Sequence, residues 1–208
     1  MSKIRSLSSR RWLKRHVKDQ YVNLAYKNNI RSRSYFKLKQ IHKVNRLFKK
    51  GMTVIDLGSS PGSWSEYASK KIGKRGCIIA CDMLSMLPIK GVFFMQGDIR
   101  ELNFFNSLLT FMKHRKIDLI MSDMSPNMSG SSCIDHPRSI ELSKLALKIS
   151  KRTLLDNGKL VIKSFYGNQF HALIKEINTL FVKVKIFKPH ASRVRSKEVY
   201  IIASERKR

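Results

Sequence analysis

Between Ser34 and Phe48 the apolar residues Tyr35, Phe36, Leu38, Ile41, Val44, Leu47 and Phe48 recur at steps of three and four. That spacing predicts one buried helical stripe, closed by Gly51. Beyond it the pattern changes to short, nearly continuous apolar runs at Met52–Leu57, Cys77–Asp82, Val92–Gln96, Ile117–Ser122 and Lys159–Phe165. Runs of that length read as strands buried on both faces. Amphipathic stretches at Trp64–Ile72, Glu101–Lys113, Pro137–Leu155 and Gln169–Leu180 separate most of them, with Pro137 suited to a first turn and Gly158 just past a helix end. Two further strands, Val182–Phe187 and Glu198–Ala203, are joined by a loop too short for a crossover helix, so they return antiparallel. The expected fold is α/β: a doubly wound, mostly parallel seven-stranded sheet with helices on both faces and the last strand antiparallel.

Residues 1–30 have little apolar periodicity and many charges, and are expected to be a basic N-terminal arm that orders on its target, preceding a single domain over residues 31–208. The 208 residues hold 42 Lys+Arg against 14 Asp+Glu, a formal charge of +28. The excess is uneven: Asp19 is the single acid among residues 1–50, which carry +15, and residues 183–208 carry +7. Two basic ends flanking a nearly balanced middle suit phosphate neutralisation, and hence a nucleic-acid partner. No apolar run approaches the roughly 18 residues that span a bilayer, so a cytoplasmic protein without a membrane partner is expected. Cys77, Cys81 and Cys133 make no Cys-x2-Cys pair and the six histidines show no ligand spacing, so no metal is expected.

The segment Val54-Ile-Asp-Leu-Gly-Ser-Ser-Pro-Gly-Ser-Trp64 leaves the first strand and enters a helix, with Gly58 and Gly62 where backbone turns tightly beside a ligand. It is neither the dinucleotide fingerprint nor a P-loop, since the second glycine site holds Ser60 and no Gly-Lys-Ser/Thr follows. Asp82, about 20 residues on, suits a ribose. Asp56, Asp82, Asp98 and Asp123 all fall near strand ends, where one crevice would carry four acids and favour a partly cationic nucleoside ligand such as S-adenosylmethionine. Taken singly, each acid is equally a turn or helix cap.

The same residues carry a resemblance. Arg31-Ser-Arg-Ser-Tyr-Phe-Lys-Leu38, Asp56-Leu-Gly-Ser-Ser-Pro-Gly-Ser-Trp64, Ile79-Ala-Cys-Asp82, Gln96-Gly-Asp98, Met121-Ser-Asp-Met-Ser-Pro-Asn-Met-Ser-Gly130, Lys163 and Ser192-Arg-Val-Arg-Ser-Lys-Glu-Val-Tyr200 resemble, over nearly the whole chain, the FtsJ/RrmJ methyltransferases. The resemblance implies a Rossmann-like, class I S-adenosylmethionine-dependent fold and methyl transfer to a ribose 2′-hydroxyl of RNA, here a uridine of 23S rRNA in the large ribosomal subunit. It implies a catalytic tetrad of Lys37, Asp123, Lys163 and Glu198, and cofactor contacts at Gly62, Trp64, Asp82, Asp98 and Asp123. Ser59-Ser60 and Ser63 depart from it, standing where Ala-Ala and Gly are usual.

Of the tetrad, Lys163 is expected to hold the hydroxyl, by base action or by steering a lone pair, while Asp123 and Glu198 orient it and Lys37 organises the pocket. Arg31, Arg33, Arg193 and Arg195 are the expected RNA contacts, and a monomer is expected. The competing readings are the same chemistry on tRNA, and a noncatalytic RNA-binding assembly factor, which would have a broken loop or tetrad.

Overall fold

The computed structural model of the chain describes residues 17–113 and 115–207. In chain order its elements are α1 (Gln20–Lys27), α2 (Ser34–Asn45), β1 (Thr53–Leu57), α3 (Ser63–Ile72), β2 (Cys77–Asp82), β3 (Val92–Gln96), α4 (Leu102–Met112), β4 (Ile117–Ser122), α5 (Ser132–Thr153), β5 (Leu154–Phe165), α6 (Phe170–Leu180), β6 (Phe181–Phe187) and β7 (Glu198–Arg206). The strands form one sheet in the order β3-β2-β1-β4-β5-β7-β6. The β3-β2-β1-β4-β5 pairs are parallel, and β7 lies antiparallel to both β5 and β6. The order reverses between β1 and β4, and such a switch point opens a crevice at the carboxyl ends of the two strands.

Side chains alternate across the sheet. Ile55, Leu57, Ile79, Ile120, Ile162 and Ile201 pack under α4, α5 and α6. Val54, Ala80, Met121, Val161, Tyr200 and Ile202 face α2 and α3. Two further steps along each strand, on this second face, come Asp56, Asp82, Asp123 and Lys163, while Glu198 lies two before Tyr200. Strand periodicity alone therefore gathers these groups on the side roofed by α2, the helix that carries Lys37.

Three expectations need correction. The helix from Ser34 does not run to Gly51. It ends at Asn45 because Arg46 is left-handed (φ 45°) and the His42 Nδ1 accepts the N–H groups of Leu47 and Phe48 at 3.0 and 3.4 Å. Leu47 and Phe48 are buried as the stripe required, but from irregular backbone. Pro137 is not in a first turn: α5 starts at Ser132 and Pro137 is its sixth residue, where the N–H it lacks would have bonded the carbonyl of the exposed Cys133. Gly158 lies within β5, which pairs Leu154 with Ile117, bulges, and resumes at Lys159 opposite Leu119.

The basic N-terminal segment is described only in part. Residues 1–16 lie outside the described residues, but Gln20–Lys27 is a folded helix. Asp19 Oδ1 caps it by accepting the Tyr21 N–H at 3.1 Å, and Ala25 packs with Phe36 and Ala191. Tyr21 and Ala25, four apart, form the short stripe that docks it. Among the described residues no helix is long and apolar enough to cross a membrane, and no group of three His, Cys, Asp or Glu is placed to hold a metal ion.

Candidate active site

At the switch point a cavity of about 620 Å³ is lined by Gly58, Ser60, Asp82, Asp98, Asp123 and Met124 among others. Gly58 is left-handed (φ +73°), and a Cβ there would fall 2.7 Å from Met124 Cγ and 2.9 Å from its Cα, so the loop after β1 and the loop after β4 touch through a missing side chain. Asp82 pins the glycine loop: Oδ2 accepts the Ser60 N–H and Oδ1 the Leu84 N–H, both at 2.9 Å. Each oxygen keeps a lone pair for a ligand. Asp98 is gripped by the Arg100 guanidinium at 2.6 to 3.0 Å, and those hydrogen bonds hold its carboxyl below the usual range.

Gly62 and Trp64 are not among the residues lining this cavity. Gly62 (φ 102°) caps α3. The Trp64 indole is buried, donates to the Ser34 carbonyl at 3.0 Å, and packs 5.6 Å from the Tyr200 ring. Asp56 does not line it either, contrary to the sequence reading. It sits inside β1 rather than at its end, fully buried, accepting the Ser65 hydroxyl at 2.6 Å on one oxygen while the other has no partner. Burial pushes this carboxyl up to about 7; the Ser65 bond opposes the rise, and Asp123 and Asp82 add to it.

Lys37, Asp123, Lys163 and Glu198 converge as two ion pairs. Lys163 Nζ donates to the Asp123 carbonyl oxygen and lies 3.3 Å from its Oδ1. Lys37 Nζ donates to Glu198 Oε2 at 2.8 Å. Tyr200 joins the pairs: its hydroxyl donates to Asp123 Oδ1 at 2.8 Å, and Lys37 lies 5.9 Å from its ring centroid. Glu198 thus pairs with Lys37, and Asp123 orients Lys163, a sharper division than the expectation that both acids orient Lys163. Burial works to raise the Asp123 carboxyl, but Lys163, Lys37 and the Tyr200 hydroxyl outweigh it and hold the group below the usual range, an anion. Burial, with Asp123 and Glu198 nearby, drives the Tyr200 phenol well above its ordinary value and keeps it a donor. An ammonium has three N–H donors, and the Asp123 carbonyl and carboxylate take two of those on Lys163. Among the described residues the third has no hydrogen-bond partner.

The four arginines divide. Arg31 donates to the carbonyls of Pro61, Leu87 and Pro88 at 3.0, 2.8 and 3.0 Å, clamping the glycine loop to the β2–β3 connection. Arg33 pairs with Asp19 and donates to the Ala191 carbonyl. Arg193 and Arg195 are exposed on the loop before β7, with Arg193 Nε 3.6 Å from Asp19 Oδ2.

The chain is similar in sequence and in fold to known proteins. The family described as FtsJ-like methyltransferase matches residues 30–206. The chain belongs to that family. Among curated proteins it is 56% identical over 209 residues, covering 100% of both chains, to the ribosomal RNA large subunit methyltransferase E of Buchnera aphidicola subsp. Baizongia pistaciae. It is 55% identical, over 94% of this chain and 95% of the other, to the protein of that name from subsp. Acyrthosiphon pisum. Among solved structures, a Plasmodium falciparum chain named as a ribosomal RNA methyltransferase superposes with TM-score 0.75 at 28% identity, covering 85% of this chain and 98% of that one. Aeropyrum pernix fibrillarin, solved with S-adenosylmethionine, shares the fold at TM-score 0.55 and 16% identity, over 82% and 76% of the two chains.

The cavity of this FtsJ-like methyltransferase fits S-adenosylmethionine. Its volume falls within the roughly 300–1,000 Å³ of small-molecule sites, and its carboxylates suit a ribose and a cationic ligand. Beside the tetrad, two polar residues have no role from sequence, Tyr200 and Ser192. Tyr200 was legible, since it stands two residues after Glu198 on the same face of β7. Ser192, whose hydroxyl donates to Glu198 Oε1 at 2.6 Å, lies on a loop that no periodicity reaches. The departing Ser63 has a partner of its own, with its hydroxyl 2.7 Å from that of Ser32.

Proposed function

We propose that this FtsJ-like methyltransferase transfers a methyl group to the ribose 2′-hydroxyl of a uridine in the 23S rRNA of the large ribosomal subunit. The observation that carries the reading is the convergence of Lys163, Asp123, Lys37 and Glu198 in two ion pairs, with Asp123 also lining the cavity. S-adenosylmethionine, when bound, supplies an electrophilic methyl on a sulfonium. Asp82 would hold the ribose hydroxyls, Asp98 the adenine edge, and the backbone around Gly58 the close approach. Lys163 Nζ would hold the 2′-hydroxyl oxygen of the substrate so that a lone pair lies in line with the methyl; as the oxygen–carbon bond forms the carbon–sulfur bond breaks to leave a neutral thioether, and the hydroxyl proton is lost to water. Asp123 keeps that ammonium from rotating, and Lys37, oriented by Glu198, forms the neighbouring wall.

The names of the Buchnera relatives support the substrate class, and the exposed Arg193 and Arg195, with the basic segment of residues 1–30, supply cations for RNA phosphates. In this reading the protein acts in the cytoplasm as a monomer, with residues 31–208 as its catalytic domain. The test is transfer of labelled methyl to undermethylated large subunits, to free rRNA and to tRNA. Wild type is expected to label a ribose 2′-oxygen of large-subunit rRNA. Lys163→Ala is expected to lose about 10²- to 10⁴-fold in turnover while still binding cofactor. Label on tRNA alone would replace the substrate; wild-type turnover in Lys163→Ala would refute the mechanism.

A further inference from the structure

We propose that Ser192 is a positioning residue of the reaction, fixing the Glu198 carboxylate and through it Lys37; the inference rests on the proposed role of the tetrad. A carboxylate held at one oxygen can pivot about that contact. Glu198 is held at both, with Oε2 accepting from Lys37 Nζ at 2.8 Å and Oε1 from the Ser192 hydroxyl at 2.6 Å. Both residues are under a tenth exposed, so water is not at hand to replace the hydroxyl. The hydroxyl is the donor and the carboxylate oxygen the acceptor. A hydroxyl on an anion at this distance is among the stronger hydrogen bonds.

Ser192 is itself built into place. Its N–H donates to the Pro189 carbonyl at 2.8 Å. The preceding Ala191 is tied to α2 on both sides of Lys37: its N–H donates to Gln40 Oε1 at 3.0 Å, and its carbonyl accepts from Arg33. The Glu198 N–H in turn donates to the Ser196 hydroxyl at 3.2 Å. The loop before β7, α2 and the start of β7 thus share one brace, with Ser192–Glu198–Lys37 at its centre. No residue of this loop lines the cofactor cavity, so loss of the brace acts on turnover and leaves cofactor affinity alone.

The experiment measures kcat, KM for ribosomal RNA and cofactor affinity by titration calorimetry for wild type, Ser192→Ala, Ser192→Thr, Glu198→Ala and the Ser192→Ala/Glu198→Ala double variant. Ser192→Ala is expected to lose about 10- to 100-fold in kcat, the worth of one hydrogen bond to a charged group, with both affinities held. Ser192→Thr, which keeps the hydroxyl, is expected to recover most of it. In the Glu198→Ala background the Ser192 substitution should cost nothing further, since a residue acting through another is silent once that partner is gone. Should Ser192→Ala not fold, Ser192→Cys, near in size and a weaker donor, is expected to give an intermediate kcat. Wild-type kcat in Ser192→Ala or Ser192→Cys, or an undiminished Ser192 effect without Glu198, would overturn the proposal. Wild-type turnover in Glu198→Ala would instead sink the tetrad reading on which it stands.

Discussion

Asp56 offers a quantitative test of how the sheet stores charge. The group is fully buried inside β1, one oxygen has no hydrogen-bond partner, and its pKa rises from 3.8 to about 7, chiefly through burial. In the window between those values the unfolded chain has released the proton and the folded chain has kept it, so stability falls as pH rises through the window and levels off above it. Each tenfold in proton affinity is worth about 1.4 kcal/mol, which makes the full cost about 4 kcal/mol at alkaline pH. About half is already present near pH 5.5, and the other half, about 2 kcal/mol, develops between about pH 5.5 and pH 8.5. Asp56→Asn keeps the shape and an acceptor for Ser65 but cannot ionise. Equilibrium urea unfolding of cofactor-free wild type and variant at both pH values is the assay, because subtracting the variant cancels every other titrating group. The stability difference, variant minus wild type, should shift in favour of the variant by about 2 kcal/mol from the lower to the higher pH. A difference that does not move with pH would refute the reasoning, and would mean that Asp56 ionises in the fold as freely as in water.

Two more outcomes follow from the loops around the cavity. Gly58→Ala puts a methyl 2.7 Å from Met124 Cγ at a positive φ, where the conformation alone costs about 1–2 kcal/mol; cofactor affinity by titration calorimetry should fall at least about tenfold, and unchanged affinity would contradict the close approach of the two loops. Arg31→Ala removes three bonds between the glycine loop and the β2–β3 connection and should weaken cofactor binding while leaving the salt dependence of RNA binding alone. A loss of about one from the slope of log affinity against log salt, with cofactor affinity intact, would make Arg31 a phosphate contact instead.

The strands were legible because burial on both faces leaves uninterrupted apolar runs: Cys77–Asp82, Val92–Gln96 and Ile117–Ser122 begin and end where their sequences say. Helix ends were less so, since distant side chains set them. The stop after Asn45 depends on the His42 ring and on Lys159, whose Nζ donates to the carbonyls of Asn45 and Arg46 from β5. The acids divided by position along the strand. Asp82 ends β2 and Asp123 follows β4, so both reach the crevice, whereas Asp56 is one residue short of the end of β1 and stays beneath the loop. No local pattern separates an arginine that binds phosphate from one that binds carbonyls, and the partners of Arg31 at Leu87 and Pro88 are 56 and 57 residues away.

The placement of β7 bears on when the site comes into being. It follows the other six strands in the chain, yet in the sheet it lies between β5 and β6 and supplies both Glu198 and Tyr200. As the chain emerges from the ribosome, β6 has no strand to pair with and Lys37 no carboxylate until β7 arrives. A nascent chain therefore shows its N-terminal basic segment to RNA well before it has a centre that can act on one. Synthesis itself imposes an order in which the first part of the binding surface precedes chemistry, and a chain stalled short of β7 would be a ligand for RNA rather than a catalyst.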